Sequence, residues 1–153
     1  MRITYETIAL RFGETFSPPE GTIAAHRAVI EQYGFVYYGK LGSPVGTGRI
    51  AAIMNNEHPK ILLIQSGKTG RYWAYVAKIQ RDAPEPRYVP EYYRDDIPKF
   101  KTWIKITRIM DAPTDIMNHC TVVSSGAVLS HASHYSMSPY FFIDAPDQYA
   151  EVS

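Results

Sequence analysis

Three short stretches carry residue types whose spacing could do chemistry. Gly67-Lys68-Thr69 is the tail of a phosphate-binding loop, G-x-x-x-x-G-K-[ST], whose first glycine lets successive amides wrap the phosphates ahead of a helix N-terminus. Five residues before Gly67 stands Leu62, inside an apolar run, and after Thr69 comes the β-forming run Arg71–Ile79 rather than a helix. The triphosphate reading fails on both counts, and the stretch reads as a hairpin turn. Gly46-Thr47-Gly48-Arg49-Ile50-Ala51 matches G-x-G-x-x-A between a strand and a short helix. That helix is too short for a normal crossover, and the next strand ends in Gln65-Ser66 where a ribose-binding acid belongs. His119, Cys120, His131 and His134 offer soft donors without zinc spacing, and neighbours such as His119 and Cys120 on a strand point to opposite faces. No catalytic residue, cofactor or metal is expected.

The remaining signal is aromatic and basic. Tyr72, Trp73, Tyr75, Tyr88, Tyr92, Tyr93, Phe100 and Trp103 are interleaved with Lys68, Arg71, Lys78, Arg81, Arg87, Arg94, Lys99 and Lys101, in a chain with twelve Tyr, six Phe and two Trp among its 153 residues. Phosphate contact combined with base stacking calls for this alternation. Along Arg71–Gln80, Tyr72 shares a face with Ala74 and Val76, whereas Trp73, Tyr75 and Ala77 share the other, so some of these rings must be core. For the cluster as a whole, core packing and base recognition both stay open.

Charge is segregated along the chain. Residues 1–59 hold five basic and five acidic residues, 60–108 hold eleven and five, and 109–153 hold no Lys or Arg and five acids, although the formal net charge is only +1. Such segregation can make one face electropositive on a near-neutral molecule. Scattered Lys and Arg on solvated strand faces would give the same counts.

The elements that must position these residues follow from pattern. Thr7–Phe12 reads as a strand and Glu20–Tyr33 as a helix closed by Gly34. Phe35–Leu41 reads as a strand, and Arg49–Asn55 as about two helical turns before Pro59. Ile61–Gln65 and Arg71–Gln80 form a strand pair joined across Ser66–Gly70. Pro84, Pro86, Pro90 and Pro98 make residues 83–98 a long surface loop. Phe100–Ile109 alternates as a half-buried strand, Thr121–Val123 and Ala127–Leu129 flank a Ser-Ser-Gly turn, and Tyr140–Ile143 is a last strand. The order implies one α+β domain over residues 1–153, with a mainly antiparallel or mixed sheet that can curl into a barrel.

No run approaches the roughly 18 apolar residues of a membrane span, and the first residues, with Glu6 and Glu14, contain no apolar export signal. Cys120 is the single cysteine, so no internal disulfide forms. A soluble, cytoplasmic protein without a membrane partner is expected.

From Lys60 to about Ile143 the pattern resembles the EVE domain of the PUA-like superfamily, related to YTH domains. It is most similar to the modified-base-reading domains at the N-termini of McrB-type and HNH-type restriction enzymes. The resemblance rests on ILLIQSGKTG, RYWAYVAKIQRDAPEP, the loop YVPEYYRDDIPKF, the strand TWIKITRIMDAP and the serine-rich VVSSGAVLSHASHYSMSPYFFI. It covers about half the chain. The start departs from the common EVE pattern, since the first strand ends Leu10-Arg11-Phe12-Gly13 instead of leading into a Lys-Ser-Glu-Pro-like turn.

What the resemblance implies is a small β-barrel flanked by short helices, holding a pocket for a modified nucleobase flipped out of a duplex. Gln65, Ser66 and the 67–70 turn would lie at its mouth. Tyr72, Trp73, Phe100 and Trp103 would wall it, and Ser124, Ser125, Ser136 and Met137 would border it. Lys68, Arg71, Arg94, Lys99 and Lys101 would contact phosphates. The expected partner is DNA carrying a methylated or hydroxymethylated base, with nuclease or NTPase activity on another domain or chain. An RNA reader, a small-molecule-binding or hydrolytic domain using the same pocket, and a protein-interaction domain using Tyr88–Tyr93 are the other readings.

Overall fold

The computed structural model describes residues 4–15 and 17–146. The elements are β1 (Thr4–Phe12), α1 (Thr22–Tyr33), β2 (Val36–Lys40), α2 (Thr47–Met54), β3 (Lys60–Gln65), β4 (Arg71–Gln80), β5 (Thr102–Asp111), β6 (Thr121–Val122), α3 (Leu129–Tyr135) and β7 (Tyr140–Pro146). Short 3₁₀ helices cover Pro86–Tyr88, Glu91–Lys99 and Ile116–His119.

All seven strands join one mixed sheet in the order β2-β5-β4-β3-β1-β7-β6. The β1–β3 pair is parallel and every other pair antiparallel. Strand alternation sorts the side chains. Ile8, Leu10, Ile61, Leu63, Ala74, Val76, Ile104 and Ile106 form the core under α1 and α2. Ala9, Leu62, Ile64, Trp73 and Ile143 form a second core under α3 and the Ile116–His119 turn. Burying such aliphatic side chains stabilises the fold by about 1.5–3 kcal/mol each.

Lys40 on β2 and Tyr140 on β7 lie five strands apart in this order, a separation of about 24 Å in a flat sheet. Yet the Lys40 ammonium sits 4.0 Å from the Tyr140 ring centroid. The sheet is therefore curled around its first core, helped by register shifts at Tyr75–Val76 and Val76–Lys78 between β4 and β5, where bulged strands bend. It does not close into the expected barrel. Beside the free edge of β2 the Tyr93 hydroxyl lies 3.1 Å from the Tyr37 carbonyl, and just past its end Lys40 Nζ donates to the carbonyls of Leu41 and Ser43. What would have been a barrel seam is a cleft.

Two further expectations change. Residues 83–98 hold short 3₁₀ turns, with a kink at Tyr93, rather than an irregular loop, and Val89, which follows the first turn, and Ile97 bury against Trp103. Residues 127–129 form one bridge, Thr121 to Val128, before Leu129 opens α3. The α3 run LSHASHY carries few apolar residues and only Leu129 buried, so its periodicity is silent. The Arg11 guanidinium, donating to the Ser133 carbonyl and hydroxyl and to the Ser136 carbonyl, anchors α3 and the chain leaving it.

Candidate nucleobase cleft

The cleft at the open seam has a volume of about 280 Å³, near the small end of the range for ligand pockets and scaled to one flat ring system. The end of β1 and the residue after it supply Leu10–Gly13, the end of β2 and the residue after it supply Tyr38–Leu41, α1 supplies Thr22 and His26, the segment Glu91–Lys99 supplies Tyr92, Tyr93 and Asp96, and Phe100, Pro139 and Tyr140 complete it.

Its floor is a chain of rings. The His26 ring lies 5.1 Å from Tyr38 and 5.6 Å from Tyr93, Tyr93 lies 5.4 Å from Phe100, and Phe100 lies 5.1 Å from Trp103. Gly39 makes this packing possible, since a Cβ there would meet Phe100 Cγ at 2.7 Å.

His26 is 1% exposed. Its Nδ1 is 2.8 Å from the Thr22 carbonyl and its Nε2 2.8 Å from the Tyr93 hydroxyl. A carbonyl only accepts, so Nδ1 carries the proton and Nε2 of the neutral ring accepts from Tyr93. Burial pushes the imidazole down to about 4, against the opposing hydrogen bond to Thr22. With both nitrogens engaged, His26 is a rigid neutral wall. Burial likewise raises the Tyr38, Tyr92 and Tyr93 phenols, keeping them protonated.

Thr22, Lys40 and Asp96 are among the polar groups of the lining. Thr22 is 4% exposed and its hydroxyl makes no hydrogen bond of ordinary geometry, although it lies close enough to the Tyr92 phenol to favour that group's ionised form. Lys40 is 3% exposed, 3.1 Å from the Leu41 carbonyl and 2.8 Å from that of Ser43. Asp96 is paired with Lys99 at 2.9 Å. The N-terminus of α1 is closed from outside by the Glu14 carboxylate, which accepts from the Thr22 amide at 3.2 Å behind Gly21, whose φ is 93°.

The residues expected from sequence do not converge on one pocket. Phe100 alone of the expected wall residues lines this cleft. Trp73 and Trp103 are both 0% exposed, Trp73 in the core under α3 and Trp103 beneath Phe100. Tyr72 is half-buried and packs on Phe12, with rings 6.3 Å apart. Gln65, Ser66, Lys68 and Arg71 instead line a second, more polar cleft of about 460 Å³, together with Ser130, Ser133 and His134. Arg11 borders both clefts, so they flank the C-terminal end of β1. Ser136 lines neither of them, although its carbonyl is held by Arg11, and Met137 beside it is 96% exposed. Ser124 and Ser125 sit exposed in the turn after β6 and line neither cleft.

The basic residues fall into three groups. Lys68 and Arg71 belong to the second cleft, and the Arg71 guanidinium, lowered by burial, caps the turn by donating to the Lys68 and Gly70 carbonyls. Lys99 and Lys101 are exposed on either side of Phe100 in the chain. Arg94 donates to the Val89 carbonyl and faces a groove beside α1.

Sequence reasoning did not single out Thr22, His26, Tyr38, Lys40 or Tyr140. Two local signals pointed to four of them: β2 alternation puts Tyr38 and Lys40 on one face, and helical spacing stacks Thr22 on His26. Elsewhere, burial drives the Cys120 thiol up to about 12, which leaves it unreactive. Among the described residues no group of three or more His, Cys, Asp or Glu could hold a metal, and no helix is long and apolar enough to cross a membrane.

A family model described as Pua-like matches residues 8–141. No curated protein and no solved structure matches the chain.

Proposed function

The chain belongs to the PUA-like family, whose members are generally binders of nucleic acids or modified bases rather than catalysts; from that premise we propose that it reads a modified base in DNA, taken out of the stack into the cleft at the sheet seam. The observation that carries this reading is the cleft's composition. Aromatic faces from four elements meet buried hydrogen-bonding groups, Thr22 Oγ1 and Lys40 Nζ, in a space of about 280 Å³. Stacking supplies roughly 1–3 kcal/mol per base irrespective of its identity, and the polar groups discriminate its edge.

In this proposal the second cleft follows the strand. Gln65, Ser66, Lys68 and Arg71 take the backbone beside the flipped nucleotide, Lys99 and Lys101 take it on the Phe100 side, and Met137 lies against the neighbouring bases. Ser136 holds Arg11, which borders both clefts. Nuclease or NTPase activity directed by such reading belongs to another domain or chain, as in the restriction enzymes that residues 60–143 resemble.

The test is fluorescence anisotropy with short duplexes differing in one base modification, in DNA and in RNA. We expect one modified DNA duplex to bind at least about tenfold tighter than its unmodified counterpart, and Phe100→Ala and Tyr140→Ala to weaken it by about 1–3 kcal/mol each. Equal weak binding to modified and unmodified strands refutes modified-base reading, and a preference for the RNA set refutes DNA as the target.

A further inference from the structure

Lys40 is the unusual group in the cleft. Its side chain is almost wholly buried, 3% exposed, yet it belongs to none of the ion pairs among the described residues. An ammonium has three N–H donors. Two are spent on the Leu41 and Ser43 carbonyls, and the nitrogen stands 4.0 Å from the centroid of the Tyr140 ring. That is the seat a cationic ligand takes in an aromatic cage, on the negative face of a ring. Here the protein fills it with its own cation.

The remaining charges do not reverse this. Arg11 adds a second positive group to the lining. Asp96 is the acid of the cleft, but its carboxylate is already 2.9 Å from Lys99 and half exposed. His26 is neutral, and Glu14 is engaged by the Thr22 amide.

Resting on the base-reading function above, we propose that the cleft selects a neutral base, modified at a ring carbon or an exocyclic nitrogen, and rejects a cationic base alkylated on a ring nitrogen. Lys40 presents its ammonium to a carbonyl or ring-nitrogen acceptor of the bound base, and Thr22 Oγ1, beside the Tyr92 phenol, is the second buried polar group within the lining. A cationic base would place like charges together in a poorly solvated space and would bring no acceptor that Lys40 could not find on its neutral isomer.

Two pairs of bases test this, isomeric except for the proton that makes the second member of each cationic at neutral pH: 5-methylcytosine against 3-methylcytosine, and N6-methyladenine against 1-methyladenine. Each is placed centrally in the same single-stranded DNA, so that lost Watson–Crick pairing plays no part, and binding is read by anisotropy for wild type and Lys40→Met. For whichever base is preferred, the neutral isomer should bind wild type at least about tenfold tighter than the cationic one. Lys40→Met, which keeps the stem and removes the charge, should reduce that ratio to within about threefold. Equal or tighter binding of the cationic isomer by wild type overturns the inference without needing the variant, as does an unchanged ratio in a folded Lys40→Met protein. If no oligonucleotide binds at all, the base-reading function itself falls, and this inference with it.

Discussion

His26 ties the chemistry of the cleft to the stability of the molecule. Its folded value of about 4 lies below the ordinary histidine value of 6.5, so on acidification the unfolded chain takes up this proton first. The stabilisation from keeping the ring neutral is complete above about pH 6.5 and is lost as the pH falls towards 4, a difference of roughly 3 kcal/mol. Denaturant titrations at steps between pH 4 and 7 should show stability rising with pH across that window. His26→Gln, which retains a donor and an acceptor, should flatten the rise, and an unchanged slope in that variant would assign the effect elsewhere. Nothing in HRAVIEQY announces this role. A single histidine on an amphipathic helix reads as any polar residue, and its partner Tyr93 lies 67 residues away. The aromatic strand was more open to reading: alternation along Arg71–Gln80 puts Tyr72 with Ala74 and Val76 and turns Trp73 the other way, as found. Its full burial was not readable, because the layer that covers Trp73 includes α3, whose serine- and histidine-rich run carries almost no helical signal.

At the scale of elements, the cleft depends on the fit between β2 and the chain that crosses it. The 3₁₀ segment Glu91–Lys99 delivers Tyr93 to the Tyr37 carbonyl and Phe100 onto bare backbone at Gly39. Gly39 has ordinary strand geometry, so its missing side chain serves only this close approach. Gly39→Ala should drive Phe100 off its seat, because the new Cβ would lie 2.7 Å from the ring's own attachment carbon, which rotation of the ring about χ2 does not move. Overpacking of this kind costs about 1–3 kcal/mol. Tm should fall accordingly, and nucleic-acid binding should drop by more than the loss of folded protein explains. A variant with wild-type binding would detach Phe100 from the site. This junction also marks where sequence reasoning stopped. The β3–β4 hairpin is local and its turn residues specify it, whereas four prolines in residues 83–98 suggest a loop without showing that it docks. Docking is decided by Val89 and Ile97 against Trp103, contacts between apolar residues that look alike wherever they fall.

For the molecule as a whole, the proposed reading sets cations to either side of the base cleft. Lys68 and Arg71 lie beyond the end of β1, and Lys99 and Lys101 flank Phe100. The acids of the last third are partly spent locally, Asp111 on Arg27 at 3.7 Å and Asp115 on His119 at 3.1 Å. A near-neutral protein can therefore present a basic track without a strong overall field, so binding should draw on a few phosphate contacts and lean on the inserted base for the rest. Salt dependence separates the two contributions. Each cation that neutralises a phosphate contributes about 0.9 to the slope of log K against log salt on duplex DNA. Replacing Lys68 and Lys101 together by Gln should lower that slope by about 2, weakening modified and unmodified duplexes in equal proportion. Phe100→Ala should do the reverse, leaving the slope and reducing the preference for the modified base. If the double variant alters base preference while the slope stays fixed, these lysines contact the base and the assignment of phosphate track and base cleft must be exchanged.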